Sequence, residues 1–297
     1  MSNFPKIIAI VGPTASGKSD LAVEIALKWN GEILSADSRQ VYTGLDIISG
    51  KITAIEMKGI PHHLLDVTEP NETFDVIQYK ERADRVIKDI LARGKVPILC
   101  GGTGFYIDAV VTNSILPTAP PNKELRIELE QCTTENLFER LKILDPKRAE
   151  VIDSKNPRRL VRAIEIATAL GRVPAERREP RYQALMIGIK TDPKILRARI
   201  EARLMARFDA GMIDEAKLLH EQGLSFARMD SLGLECRYLA QFLQQQITYE
   251  QMIERLQFEI WHYAKRQLAW FSHNKKIHWF GLNEKVAIDE MMHQFLC

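Results

Sequence analysis

Residues Gly12-Pro13-Thr14-Ala15-Ser16-Gly17-Lys18-Ser19 fit the pattern G-x-x-x-x-G-K-[ST] in full. Glycines let a backbone curl until successive amides face one anion, and Lys18 adds a mobile positive charge. Ser19 offers a hydroxyl that can sit on a magnesium ion shared with phosphate oxygens, while the start of a helix contributes further partial positive charge. The whole loop is therefore a candidate diphosphate site. Its spacing implies that a di- or triphosphate binds, without saying whose. The phosphate could belong to ATP, or it could be the diphosphate of an allylic compound, held as a leaving group while carbon departs from oxygen.

Asp37-Ser38-Arg39-Gln40-Val41-Tyr42 is the second stretch with chemical potential. It follows a short apolar run directly, and a carboxylate beyond the end of a strand in an α/β sheet faces the crevice where ligands collect. Asp37 can take a proton from a weakly nucleophilic amine, such as the exocyclic amine of adenine, and Gln40 can fix the edge of a base. The other reading is an Asp that caps the next helix by bonding to its first amides, with Ser38 doing the same. Gly101-Gly102-Thr103-Gly104-Phe105-Tyr106 forms a second glycine turn, where Thr103 can bond to phosphate or to an incoming base. Phe105 and Tyr106 serve equally well as core residues or stacking platforms. Adjacent His62 and His63 point in different directions and are expected to make structural contacts, not to bind metal.

These loops need a frame. Ile7 to Val11 is an almost wholly apolar run, as in a strand covered on both faces, and it ends at Gly12. From Lys18, the spacing of Leu21, Ala22, Ile25 and Ala26 predicts a helix. Ile33 to Ala36 reads as a second strand, Val76 to Leu91 as a helix, and Val96 to Cys100 as a buried strand stopped by Gly101-Gly102. Such alternation predicts a mostly parallel sheet with helices on both sides. Thr112 to Asn122 carries three prolines and reads as a connector. Leu125 to Leu144 and Asn156 to Leu170 then look helical, Ala184 to Ile189 looks like a strand returning to the sheet, and Pro193 to Glu221 and Tyr249 to Phe271 read as long helices. The expected organisation is residues 1–113 as the first part of an α/β core, 114–182 as a helical insertion, and 183–297 as the return to the core with C-terminal helices.

The 297 residues are 45% hydrophobic and 27% charged, an ordinary globular composition. A formal charge of +2 argues against a protein that coats nucleic acid over its whole surface, yet it permits a local basic groove. Lys155, Arg158, Arg159, Arg162, Arg172, Arg177, Arg178 and Arg181 face only Glu165, Glu176 and Glu179 within one short stretch. That density suits either a polyanion or a solvated helical face. Cys100, Cys132, Cys236 and Cys297 form no C-x-x-C pair, which argues against a zinc site or disulfide framework. The opening segment from Met1 reads as a buried first strand instead of a signal peptide, and no apolar run approaches a membrane span, so the expected compartment is cytoplasmic.

Taken in order, Gly12 to Ser19, Asp37 to Tyr42, Gly101 to Tyr106, Asn156-Pro157-Arg158-Arg159-Leu160-Val161-Arg162-Ala163 and Ala264-Lys265-Arg266-Gln267-Leu268-Ala269-Trp270-Phe271 resemble the tRNA dimethylallyltransferases, also called isopentenyltransferases. The likeness runs through nearly the whole chain, and five motifs in sequence are far more specific than any one. It is to the bacterial type, since the chain lacks the paired cysteines and histidines of forms with a zinc finger. The resemblance implies a P-loop NTPase-like parallel-sheet core with a helical insertion domain, binding tRNA and dimethylallyl diphosphate with Mg2+. It further implies Asp37 as general base for the adenine amine, Gln40 as a holder of the adenine, and Thr103 near both substrates. Ser38 and Arg39 would join them at the tRNA. Lys18, Ser19 and Arg203 would receive the diphosphate. Arg158, Arg159, Leu160, Val161 and Arg162 would face the anticodon stem-loop, with adenosine 37 as target. Where members of the family carry Gly-Tyr-Arg or Gly-Tyr-Lys, this chain reads Gly233-Leu234-Glu235-Cys236-Arg237, so any tRNA contact there passes to Arg237. The expected enzyme is a monomer. The rival expectations are a nucleoside or nucleotide kinase, which would turn over ATP, and a non-catalytic RNA-binding protein, which would leave the phosphate loop unexplained.

Overall fold

The computed structural model describes residues 4–115, 117–175 and 177–297, so Met1 and Glu176, both used above, lie outside it. The chain divides into two compact units, one formed by residues 1–113 together with 180–297, the other by Ser114–Glu179.

The larger unit begins with β1 (Lys6–Val11), α1 (Lys18–Lys28), β2 (Gly31–Ser35), α2 (Ala54–Met57), β3 (His62–His63), α3 (Val76–Ala92), β4 (Val96–Gly101) and α4 (Gly104–Val111). The smaller unit contributes β5 (Ser114–Ile115), α5 (Lys123–Glu130), α6 (Thr134–Leu144), α7 (Pro146–Val151), α8 (Pro157–Leu170) and β6 (Arg177–Arg178). The larger unit resumes with β7 (Gln183–Ile189), α9 (Pro193–Asp209), α10 (Met212–Glu221), α11 (Phe226–Leu232), α12 (Leu234–Leu243), α13 (Tyr249–Ser272), β8 (Ile277–Phe280) and α14 (Lys285–Leu296).

Six strands pair in the order β3-β2-β4-β1-β7-β8, every pair parallel. Alternation along β1 sends Ile7, Ala9 and Val11 to one face, where they meet Tyr79, Ala83 and Ile87 of α3 and Ile107 of α4. Ile8 and Ile10 go to the other face, against Leu21 and Ile25 of α1 and Ile288 of α14. With both faces covered, the central strands need no polar positions, which is why they are apolar throughout. A separate core gathers Leu204, Met212, Leu239, Met252 and Leu256 from the helices that follow β7.

The predicted strands and the helices from Lys18 and Val76 agree with β1, α1, β2, α3, β4 and β7 within about two residues. Two predicted long helices are broken. Leu125–Leu144 divides because the Thr133 hydroxyl accepts from the Asn136 amide and starts α6 afresh. Pro193–Glu221 divides at Gly211, whose φ of +99° ends one helix and begins the next. No helix among the described residues is long and apolar enough to cross a membrane.

In the smaller unit, Leu125, Leu129, Leu137, Leu141, Leu160 and Ile164 form a core of their own. Glu165 is buried beneath them and accepts two bonds from Arg126, at 2.7 and 2.8 Å, and one from Arg162 at 3.3 Å.

Candidate active site

The phosphate loop sits where β1 stops and α1 starts. Gly17 caps α1 with φ +86°, a conformation that costs glycine little, and Ala15 adopts φ +59° beside it. These two left-handed residues turn the loop back on itself. Among the described residues, the amides of Ala15, Gly17, Lys18 and Ser19 meet no protein acceptor, the usual state of a helix N-terminus awaiting an anion. Two other loop amides are already committed: that of Ser16 to the Pro13 carbonyl at 3.3 Å, and that of Thr14 to Gln267 Oε1 at 2.8 Å. The Ser16 hydroxyl is buried without a hydrogen-bond partner.

Lys18 curls over the loop and donates to the Pro13 carbonyl at 3.1 Å. Its pKa is lowered, chiefly by desolvation, with the Arg203 charge adding to the depression and Cys100 and Asp37 opposing it. Arg203, on α9, donates to the Gly50 carbonyl at 2.8 Å. Desolvation and then Arg207 lower its pKa as well, while the Asp37 charge counteracts. The Asp37 charge therefore acts on both Lys18 and Arg203, although the three are far apart in sequence.

Asp37 follows β2 after Ala36. Its Oδ1 accepts from the Arg39 amide at 2.8 Å and more weakly from the Gln40 amide at 3.4 Å. The capping alternative is thus half right: the side chain does bond forward amides, but the segment it organises is a turn, not a helix. Among the described residues, no hydrogen bond uses Oδ2. The Ser38 amide donates to the Thr103 hydroxyl at 3.0 Å, and the Thr103 amide donates to the Ala36 carbonyl at 3.1 Å, locking the acid-bearing turn to the second glycine turn. Gln40 is differently placed from a free base-holder. Its oxygen accepts from the Ser35 hydroxyl at 3.0 Å and its nitrogen donates to the Gly50 carbonyl at 3.3 Å.

The second glycine turn owes its sequence to crowding. A Cβ on Gly101 would stand 2.1 Å from the Ala36 carbonyl oxygen, and one on Gly102 would stand 2.0 Å from Gln267 Nε2. Tyr106 is buried and stacks on Tyr79 with ring centroids 4.0 Å apart, so it is a core residue, whereas Phe105 is exposed and meets Trp270 edge-on. His63 bonds to Glu32 and His62 to the Ile60 carbonyl, both structural contacts.

Arg39 lies against Gly233, where a Cβ would come within 2.7 Å of its Nε. The departure at Gly233-Leu234-Glu235 has a local partner: Glu235 accepts from Arg207 at 3.2 Å, and Arg207 also donates to the Ile47 carbonyl at 2.7 Å and to the Ile48 carbonyl. Arg237 is paired with Asp230 at 2.8 Å.

In the smaller unit, the five residues expected to face RNA do not share a face. Arg158 and Arg159 are exposed, but Leu160 is fully buried, Val161 packs against the local core, and Arg162 spends its head on Glu165 and the Ala119 carbonyl. Helical period accounts for this: consecutive residues of α8 cannot all point outward, so the Leu160 side chain lies wholly in the local core and Val161 partly so.

Among the described residues, no three His, Cys, Asp or Glu side chains gather into a metal site. Magnesium does not require one, because it keeps several waters and takes most other ligands from substrate phosphates. Ser19, exposed at the first turn of α1, supplies the single oxygen that such a donor set needs from protein. The residues present therefore fit that ion.

Two side chains went unassigned in the sequence although their segment stood out. Tyr263 and Gln267 lie one helical turn apart on α13. The Tyr263 pKa is raised by desolvation and then by the Asp37 charge, with Thr103 acting in the opposite direction. Gln267 is buried and reaches both the phosphate loop and Gly102. A polar residue on the apolar stripe Leu256, Ile260, Ala264, Phe271 was the available signal.

Residues 40–274 match the family model described as "IPP transferase". A protein named tRNA dimethylallyltransferase in Anoxybacillus flavithermus is 38% identical over 297 residues, covering 98% of this chain and 95% of that protein. Another, tRNA dimethylallyltransferase 1 of Syntrophus aciditrophicus, is 43% identical over 270 residues, covering 89% of this chain and 88% of its own. Among solved structures, the tRNA isopentenylpyrophosphate transferase of Bacillus halodurans superposes with a TM-score of 0.75 at 36% identity, covering 98% and 96% of the two chains. A eukaryotic dimethylallyltransferase, described as acting on tRNA, superposes with a TM-score of 0.80 at 26% identity over 93% of this chain and 74% of its own. Since both the family model and relatives well above 30% identity extend over most of its length, with the loop, acid and glycine turn gathered on one parallel sheet, the chain belongs to the IPP transferase family.

Proposed function

We propose that this protein transfers the dimethylallyl group of dimethylallyl diphosphate to N6 of adenosine 37 in tRNA and releases diphosphate. The observation that carries this reading is one acid with an oxygen to spare, on a turn tied to the second glycine turn, whose charge acts on Lys18 and Arg203 beside a loop of unclaimed amides. A cation pair with a helix N-terminus suits a departing diphosphate, and a carboxylate with one oxygen unspent suits removal of a proton from the attacking amine. The names of the relatives supply the allyl group and the tRNA.

In this mechanism the base leaves the anticodon loop, which costs less than opening a duplex. Asp37 hydrogen-bonds the exocyclic amine through Oδ2 and takes its proton as nitrogen bonds to the allylic carbon. The carbon–oxygen bond breaks, and the electron pair leaves with diphosphate, which Lys18, Arg203 and the amides of Ala15, Gly17, Lys18 and Ser19 receive. Thr103 holds the Ser38 amide, so that the acid-bearing turn keeps its position while the amine approaches. Ser19 would help hold a Mg2+ ion, which would supply further positive charge for the leaving group. Arg158 and Arg159 offer exposed charge for tRNA phosphates, a role in which Arg162 is not free to share. The enzyme works as a cytoplasmic monomer in this reading.

The test is mass spectrometry of nucleosides from unmodified tRNA incubated with the protein, Mg2+ and dimethylallyl diphosphate. A five-carbon gain on adenosine 37 supports the proposal. No gain, with ATP consumed against a nucleoside acceptor, would replace it by a kinase.

A further inference from the structure

Gln267 connects the two halves of the site. Its carboxamide is buried 2.8 Å from the Thr14 amide, which donates to Oε1, and its Nε2 donates to the Gly102 carbonyl at 3.0 Å. The assignment of oxygen and nitrogen is forced, since a main-chain N–H stands on one side and a carbonyl on the other. Gly102 is followed by Thr103, whose hydroxyl takes the Ser38 amide next to Asp37. A continuous chain of bonds therefore runs from the phosphate loop, through one side chain of α13, to the turn that carries the acid. The fit is close on the turn side, where anything larger than glycine at position 102 would collide with Nε2. Thr14, in turn, gives to Gln267 an amide that could otherwise reach toward the anion.

Resting on the transferase reading above, we propose that Gln267 is a positioning residue, setting the distance between the diphosphate-holding loop and the turn that carries Asp37. Displacement of either partner by about an ångström is enough to cost two orders of magnitude in rate when two bound reactants must meet. Neither hydrogen bond of Gln267 needs to touch a substrate for this effect. The neutral amide also matters: a carboxylate at this position would present charge to the Gly102 carbonyl, whereas a protonated carboxyl would restore both a donor and an acceptor.

The test compares wild type with Gln267→Leu and Gln267→Glu. Gln267→Leu is expected to lower kcat about 100-fold while KM for dimethylallyl diphosphate changes less than about threefold. In Gln267→Glu, the ratio of its kcat to that of wild type is expected to rise as pH falls from 8 to 6, a trend absent from Gln267→Leu. Hydrogen exchange, read without substrate, is expected to quicken in both peptides covering 12–19 and 101–104 of Gln267→Leu. Wild-type kcat in Gln267→Leu, or a loss confined to KM, would overturn the proposal. So would a flat pH ratio for Gln267→Glu, or unchanged exchange in the two peptides. Should wild type itself transfer nothing to tRNA, the proposed function fails, and the exchange measurement still decides whether Gln267 couples the loop to the turn.

Discussion

Two acids at the two ends of β2 are treated in opposite ways. Glu32, near the start of β2, is buried and accepts from Lys95 at 2.7 Å, His63 at 2.7 Å and Arg93 at 2.6 Å. Asp37, just past the end of the same strand, is half exposed, uses Oδ1 on its own turn, and meets its cations only through space. Burial alone would raise the Glu32 pKa, but hydrogen bonds from Lys95, His63 and Arg93 outweigh it and hold the group down from 4.5 to about 2. Both oxygens of Glu32 are spent on structure. Asp37 keeps one oxygen for a visitor, and chemistry needs that unspent capacity. A strand of five residues thus separates an acid that holds the sheet edge together from one poised at the ligand end.

Exchanging each acid for its amide breaks the comparison most sharply. Asp37→Asn keeps an acceptor for the Arg39 amide, so the melting temperature is expected to move by no more than about 2 °C, while single-turnover transfer falls about 10²–10⁴-fold. Lys18→Met, which removes a cation but not the loop, is expected to cost about 10²–10³ in kcat/KM for the diphosphate substrate. Glu32→Gln should do the reverse of Asp37→Asn: stability drops by on the order of 3 kcal/mol in chemical denaturation, and kcat is preserved below the melting range. The sign of its pH dependence follows from a depressed pKa. Stability from Glu32 is complete above about pH 4.5 and is lost as pH falls toward 2, so Glu32→Gln should flatten the acid limb of the wild-type curve. The smallest effect concerns the smaller unit, where the same logic separates exposed arginines from one committed to a buried acid. Replacing Arg158 and Arg159 by Ala is expected to raise KM for tRNA and to shallow its salt dependence by roughly 0.7–0.9 per lost phosphate contact, with kcat unchanged. Arg162→Ala should instead unfold that unit more readily, because Glu165 loses a partner.

Much of this was legible in the residues. The loop Gly12–Ser19, the acid after β2 and the glycine turn after β4 lie at strand ends that apolar runs announce, since a parallel strand with both faces covered has no other way to be written. Less could be read where tertiary contacts decide. The motif Arg158 to Arg162 names five consecutive residues, and only the helical phase set by packing buries Leu160 while leaving Arg159 exposed. The carboxamide of Gln40 could be aimed at a base on paper, whereas Ser35 and Gly50 already hold it. Gln267 acquires meaning only when α13 brings it to residues about 165 and 253 positions away. Glu235 reads as a departure from a family pattern until Arg207, 28 residues earlier, is seen to pair with it.

The central claim is that a carboxylate at position 37 meets the amine while the lysine-bearing loop holds the diphosphate. Its most direct measurement is a structure of the protein bound to an anticodon stem-loop and an unreactive thio analogue of the donor. The account predicts an Asp37 carboxylate oxygen at about 2.6–3.2 Å from the adenine N6, with the diphosphate analogue on Lys18 and Arg203. An adenine amine beyond that reach, with no bridging water and another side chain against it, would contradict the account.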